Sequence, residues 1–413
     1  MTLPEGIFKI TNLERLSLYC CGINSIPKEI GNLKNLKYLD LTGNNLKKLP
    51  KKIGNLKNLK ELTLTYNKIT TLPEGIFKIT NLERLSLDYC DISSISNYEI
   101  ENLKNLKYLS LRDNNLEELP KTIGNLKNLI ELNLNSNERL ASLPEEIGNL
   151  KNLEILSLDY TTILTSIPCT CKNLKNFDHL ELRSSNVTTV PDCLREIKLS
   201  FSFVYFDEGM TLPEGIFKIT NLERLSLYGC DISSIPKEIG NLKNLKYLDL
   251  TGNNLKKLPK TITNLKNLKE LTLSDGKVTP LLEGILKITN LEKLSLESCG
   301  ISSIPKEIGN LKNLKYLSLK GNKFEELPKT IGNLKNLIEL DLAINKRLAS
   351  LPEEIGNLKS LEILSLDYTT ILTSIPCTCK NLKNLDSLEL RNSNVKTVPD
   401  CLKEISDKFI FDY

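Results

Sequence analysis

Apolar positions recur along the chain in a fixed figure, apolar-x-x-apolar-x-apolar. It opens at Leu13, Leu36, Leu59, Leu82, Leu106, Leu129, Leu153 and Phe177, and again at Leu222, Leu245, Leu268, Leu291, Leu314, Leu337, Leu361 and Leu385, 23 or 24 residues apart within each run. In LKYLDL at 36–41 apolar and polar residues alternate, which predicts a short strand with leucines on one face and Tyr38 and Asp40 on the other. The stretch that follows, TGNNLKKLPKKIGNLKN at 42–58, supplies a turn, a proline and a short apolar-spaced return. A unit of this size cannot bury its leucines by itself, so each must stack on its neighbours to form a core.

The complete unit, LxxLxLxxNxLxxLPxxIGNLKN, resembles the leucine-rich repeat. The form is the short 23-residue intracellular one of Ras-group-related proteins, of disease-resistance-like plant proteins and of many bacterial and protist proteins. The resemblance covers essentially the whole chain. It implies an α/β solenoid, a horseshoe or arc of about 17–18 coils, with a parallel β-sheet on the concave side and short helices or turns on the convex side. It implies no particular partner, because fold and function are separable.

Asn44, Asn67, Asn114, Asn137, Asn253, Asn322 and Asn345 stand at one position of the unit, where the chain leaves the strand and turns inward. A side-chain amide there can satisfy backbone groups of its own coil and the adjacent one, forming a structural ladder. Cys21, Cys90, Cys230 and Cys299 occupy the same position. The family often places cysteine there, and a thiol is a weak donor suited to a buried site.

The chain is also a duplication: residues 1–95 align with 210–304, and 100–197 with 308–405. We divide it into block A at 1–198, a degenerate repeat at 199–209 and block B at 210–413. The joint KLSFSFVYFDEG at 198–209 is aromatic and alternating, unlike a flexible linker, and matches SDKFIFDY at 406–413. A ninth strand is therefore predicted, with Phe203 and Tyr205 inward, in one uninterrupted solenoid; two halves bending at the joint are the alternative. The sequence shows no polar capping units, so self-association through uncapped ends is expected as one way of covering them.

Exposed concave positions come from the polar strand residues. One column reads Arg15, Tyr38, Glu61, Arg84, Tyr108, Glu131 in block A and Arg224, Tyr247, Glu270, Lys293, Tyr316, Glu339 in block B. The next column along each strand is small and polar, which would leave Tyr and Arg standing proud. These two residues are favoured interface anchors, so this face is the candidate partner-binding surface. The alternative is that Arg and Glu on neighbouring strands pair and solvate the sheet. On the convex side a lysine column (Lys34, Lys57, Lys104, Lys127, Lys151 and Lys175, with Lys243, Lys266, Lys312, Lys335, Lys359 and Lys383 in block B) could attract phosphate or acidic lipid. Threonines interrupt it and glutamates flank it, so a solvated surface is the leading reading.

Composition narrows the chemistry. A single histidine, His179, and no Trp stand among 413 residues, which weakens every catalytic design built on histidine. Cys169, Cys171 and Cys193, repeated as Cys377, Cys379 and Cys401, offer C-x-C without a second pair, a poor zinc signature, and no metal or cofactor is expected. Cys171 should take a core position, with Cys169 and Cys193 on the convex face of adjacent coils; a disulfide or regulatory thiol is the alternative. A net charge of +4 gives no global case for nucleic acid or membrane binding. The first residues carry no uninterrupted apolar leader, and eleven cysteines are an odd count, so reduced thiols and an intracellular, cytoplasmic location are expected. The functional expectation is a non-enzymatic scaffold or recognition module binding a protein partner on its concave face, in signalling or host recognition. The alternative is a regulatory or targeting module of an enzyme or resistance-type receptor whose catalytic part lies outside this chain.

Overall fold

The computed structural model describes residues 4–411 except 73, 96–99, 183, 188, 195–199, 205–214, 276–281 and 397–398. The chain divides into two compact units, Met1–Phe203 with Met210–Ile219, and Val204–Gly209 with Thr220–Tyr413. Strands of the first are β1 (Arg15–Ser17), β2 (Tyr38–Asp40), β3 (Glu61–Thr63), β4 (Arg84–Ser86), β5 (Tyr108–Ser110), β6 (Glu131–Asn133), β7 (Ile155–Ser157), β8 (His179–Glu181) and all but the last residue of β9 (Ser200–Val204). Those of the second are β10 (Arg224–Tyr228), β11 (Tyr247–Asp249), β12 (Glu270–Thr272), β13 (Lys293–Ser295), β14 (Tyr316–Ser318), β15 (Glu339–Asp341), β16 (Ile363–Ser365), β17 (Ser387–Glu389) and β18 (Phe409–Ile410).

Within each unit successive strands pair in parallel and in register, so that like positions stack. Leu39 lies between Leu16 and Leu62, and Leu317 between Leu294 and Leu340. The inward leucines are sealed: Leu39, Leu62, Leu132 and Leu340 are 0% exposed. Burying each stabilises the stack by about 1.5–3 kcal/mol relative to leaving it in water. The strands stay three residues long in most coils because the chain must then turn inward, through a residue in the left-handed region. Gly43 fills that place with φ 70° at no steric cost, yet Tyr66, Tyr89, Tyr160, Ile344 and Tyr368 also hold it, at φ 56°, 55°, 58°, 61° and 58°.

The convex return is a short 3₁₀ turn in most coils. Pro50, at φ −67° and ψ 142°, leads into Lys51–Asn55, and Pro328 leads likewise into Lys329–Asn333. Ile53 and Ile331 point inward and are fully buried. The glycine after them allows coils to approach: a Cβ on Gly309 would lie 2.6 Å from the carbonyl oxygen of Thr330 in the next coil. One α-helical turn, Leu282–Ile285, interrupts this pattern.

A ninth strand does follow β8, but in a different register from the one expected. Leu180 pairs with Phe201, which is 2% exposed, and Leu388 pairs with Phe409. The inward series thus begins two residues before Phe203, because Phe201 continues the leucine column. Tyr205 and Tyr413 lie outside the described residues. Among the described residues no helix is long and apolar enough to cross a membrane.

Candidate partner-binding face

The exposed column of the first unit runs Arg15, Tyr38, Glu61, Arg84, Tyr108, Glu131 across β1–β6, each paired with the next in register. That of the second runs Arg224, Tyr247, Glu270, Lys293, Tyr316, Glu339 across β10–β15. The arginines do not seek their Glu neighbours. The guanidinium of Arg15 sits 4.1 Å from the ring centre of Tyr38, Arg84 3.8 Å from that of Tyr108, and Arg224 4.1 Å from that of Tyr247. Each ring is thereby half-buried beneath its cation, so these tyrosines are not proud of the sheet. Tyr316 differs: it is 41% exposed, with Lys293 in the arginine's place.

Cross-strand ion pairs form instead one residue earlier. Lys60 and Lys107 both bind Glu83, at 3.0 and 2.8 Å, and Lys269 and Lys315 both bind Glu292, at 2.8 and 2.7 Å. Hydrogen bonds from the flanking ammonium groups hold Glu83 below the usual carboxylate range and take Glu292 down to about 2. In the second unit a concave groove of about 870 Å³ opens over β11–β15. Its wall includes Asp249, Glu270, Glu297, Glu339 and Asp341, and burial raises the Asp341 carboxyl above its ordinary value.

Beneath the face runs the amide ladder. Asn114 Nδ2 donates to the carbonyls of Leu87 and Leu111, both at 2.9 Å, and its Oδ1 accepts from the N–H of Ile92 at 2.8 Å. Asn44, Asn67, Asn137, Asn253, Asn322 and Asn345 bridge coils in the same way. Cys90 and Cys299 substitute through Sγ, which donates to the carbonyls of Leu64 and Leu273. Cys230 donates to the carbonyl of Tyr228 in its own coil, and half-exposed Cys21 likewise to that of Tyr19. Sequence reasoning overlooked that Thr161, Ser185 and Thr369 stand at the ladder position and donate to the strand carbonyl three residues back. Their spacing from Leu153, Phe177 and Leu361 was the available signal.

Convex side chains are also engaged. Lys127 Nζ donates to Gly124 O at 2.6 Å, and Lys151 and Lys359 donate to Gly148 O and Gly356 O, so these ammonium groups cap the carbonyl ends of the turns. A second amide row missed in the sequence lies beside them: Asn58 donates to Lys34 O at 2.9 Å, and Asn128, Asn267 and Asn336 repeat the bond. His179 is exposed and paired with Asp178. No group of three His, Cys, Asp or Glu among the described residues could hold a metal ion.

The expectation of reduced thiols fails for four of the eleven cysteines. Cys169 is bonded to Cys193, and Cys377 to Cys401, with Cα–Cα separations of 5.9 and 5.6 Å. These residues take equivalent places in adjacent turns, and that stacking spacing suits a disulfide. Cys171 and Cys379 are buried, as expected, and burial pushes both thiols up to about 12.

Comparison with known proteins gives a consistent picture. The family model of the leucine-rich repeat region matches residues 3–97, 85–198, 213–313 and 282–399. A leucine-rich-repeat protein of Leptospira interrogans is similar over 100% of this chain and 99% of its own, at 37% identity and TM-score 0.72. The plant peptide hormone receptor RGFR1, solved in complex with RGF2, is similar over 95% of this chain and 68% of its own, at 27% identity and TM-score 0.51. The Toll–Spatzle complex of Drosophila is similar in fold, at 20% identity and TM-score 0.62, over 94% of this chain and 56% of that one. No curated protein matches the sequence.

Proposed function

The chain belongs to the leucine-rich-repeat family, and from that premise we propose that it is a non-enzymatic recognition scaffold that binds a protein partner on its concave strand faces. The observation that carries this reading is the recurrence of guanidinium-on-tyrosine pairs, Arg15–Tyr38, Arg84–Tyr108 and Arg224–Tyr247, on a rigid exposed sheet. Arg and Tyr supply large contact area with polar tips, and stacking fixes their rotamers before a partner arrives, which lowers the entropy cost of binding. The backbone below is held by buried amide bonds between coils, so the face is preformed. RGFR1 in its complex with RGF2 supports a peptide or protein as the class of partner.

The two disulfides support an oxidising compartment as the place of action, against the cytoplasmic expectation, because cytosolic thiol pairs are kept reduced. The test of the binding face is replacement of Tyr38, Tyr108, Tyr247 and Tyr316 by Ala, followed by cross-linking capture of partners from the source cell. Each anchor at the centre of such an interface contributes about 1 kcal/mol or more. Capture should therefore be lost while the circular dichroism spectrum stays unchanged. Capture that persists in the folded quadruple variant would sink the reading.

A further inference from the structure

The two units carry nearly the same column of concave residues, and their difference points to a ligand. In the first unit Arg84 pairs in register with Tyr108 and covers its ring at 3.8 Å. At the same place in the second unit stand Lys293 and Tyr316, again in register. Here no cation covers the ring among the described residues, and Tyr316 is exposed.

The polar groups around that ring differ in the same direction. In the first unit Asp88 accepts hydrogen bonds from Ser110 Oγ at 2.5 Å and from the N–H of Arg112 at 3.0 Å. In the second the hydroxyl of Ser318, the counterpart of Ser110, is buried without a partner. Glu297, at the place of Asp88, accepts from Ser295 Oγ in its own coil at 3.3 Å, a bond that Asp88 also has from Ser86, so what differs is the bond from the next coil. Asn133 in the first unit becomes Asp341 in the second. Six carboxylates and three ammonium groups line this groove, and two of the three, Lys269 and Lys315, are both committed to Glu292. Glu270, Glu297, Glu339 and Asp341 have no ion-pair partner among the described residues. Moving from the first unit to the second thus removes a guanidinium from the face and adds a half-buried carboxylate.

We propose that the concave groove of the second unit takes an arginine side chain from a basic, extended partner segment, seated on the ring of Tyr316 and held by Glu297, Glu339 and Asp341. The proposal rests on the concave-face reading above and names the chemistry of the partner. Arg84 on Tyr108 displays within the same molecule the seat that an incoming guanidinium would take. A planar, weakly hydrated guanidinium suits both the ring face and the carboxylates better than an ammonium. An excess of negative charge disfavours nucleic acid and anionic lipid in this groove.

The test uses the full chain and a fluorescein-labelled peptide of alternating glycine and arginine, read by fluorescence anisotropy. Its companion carries citrulline in place of arginine, which keeps the shape and removes the charge. The arginine peptide should bind about tenfold or more tightly than the citrulline peptide. Tyr316→Ala should weaken binding about tenfold, whereas Tyr160→Ala, which removes an exposed ring of the first unit outside the concave column, should leave it unchanged. The double variant Lys293→Arg with Asp341→Asn recreates the first unit's residues and should weaken binding similarly, since the seat is then filled from within; thermal melts confirm that each variant folds. Equal binding of the two peptides, equal loss in Tyr160→Ala and Tyr316→Ala, or undiminished binding by the double variant would each overturn the proposal. If the peptide fails to bind while the quadruple tyrosine variant still loses partner capture, the arginine assignment fails and the concave-face reading stands. If capture also survives that variant, both fail.

Discussion

At the scale of single residues the inner ladder concentrates the largest consequence of one side chain. Asn114 satisfies two buried carbonyls and two buried N–H groups, of Ile92 and Cys90, and it is 5% exposed. Removing it strands four backbone groups where water cannot replace the lost bonds. Asn114→Ala should therefore cost about 2–4 kcal/mol, measured by urea unfolding, with Asn114→Cys less damaging because Cys90 and Cys299 already bridge to Leu64 and Leu273 through sulfur. Equal losses in the two variants would refute the view that a thiol can serve in this position. The ladder was legible because asparagine recurs at one place in the unit, whereas Thr161 and Thr369 escaped notice because residue identity changes there while geometry does not. The concave arginines were legible only as neighbours of both Tyr and Glu. An exposed ion pair and a cation–π contact each contribute about 0.5–1 kcal/mol, so near-equal energies left the choice to side-chain packing.

At the scale of the coil, strand and turn place charge in separate rows. The alternation of LKYLDL fixes which residues face out, and this much followed from the sequence directly. What could not be read there is that the lysine of the NLKN segment folds back onto the carbonyls of its own turn, as Lys127 does to Gly124. A column expected mainly as solvated surface, with anion attraction as the lesser reading, is at Lys127, Lys151 and Lys359 a set of turn caps. The Lys–Glu–Lys bridges between strands make a different prediction. Glu292 titrates at about 2 in the folded chain because Lys269 and Lys315 donate to its carboxylate, against about 4.3 when unfolded. Its contribution to stability is then fully present above about pH 4.3 and is lost as pH falls towards about 2. A carbon-detected NMR titration should find the Glu292 carboxyl near the lower value, and Lys315→Met should raise it. A midpoint near the unfolded value in the native chain would show that the bridges are too solvent-screened to act.

At the scale of the molecule, each coil touches mainly its sequence neighbours, so stability is a sum of coil and interface contributions and can be lost locally. The disulfides act on this directly: one joins the turns before β8 and β9, the other those before β17 and β18, each closing a sequence separation of 24 residues. The sequence did put Cys169 and Cys193 on the convex side of adjacent coils. The expected chemistry of the thiols followed instead from the odd cysteine count, which says nothing about how closely stacked turns bring two sulfurs. A loop of this length gains about 3 kcal/mol from closure. Burial raises the Cys171 and Cys379 thiols to about 12, which disfavours the thiolate that would attack a disulfide. Reduction should therefore raise hydrogen exchange in β8, β9, β17 and β18 while β3–β6 and β12–β15 keep their protection. Protein taken from its source under acid quench should carry two disulfides by mass, and native alkylation should reach exposed Cys20 before Cys90 or Cys171. If Cys169, Cys193, Cys377 and Cys401 are instead all alkylated without reductant, the bridges do not form in the cell and the oxidising compartment must be abandoned. The groove around Tyr316 would be untouched by that result, because no disulfide lies among β11–β15.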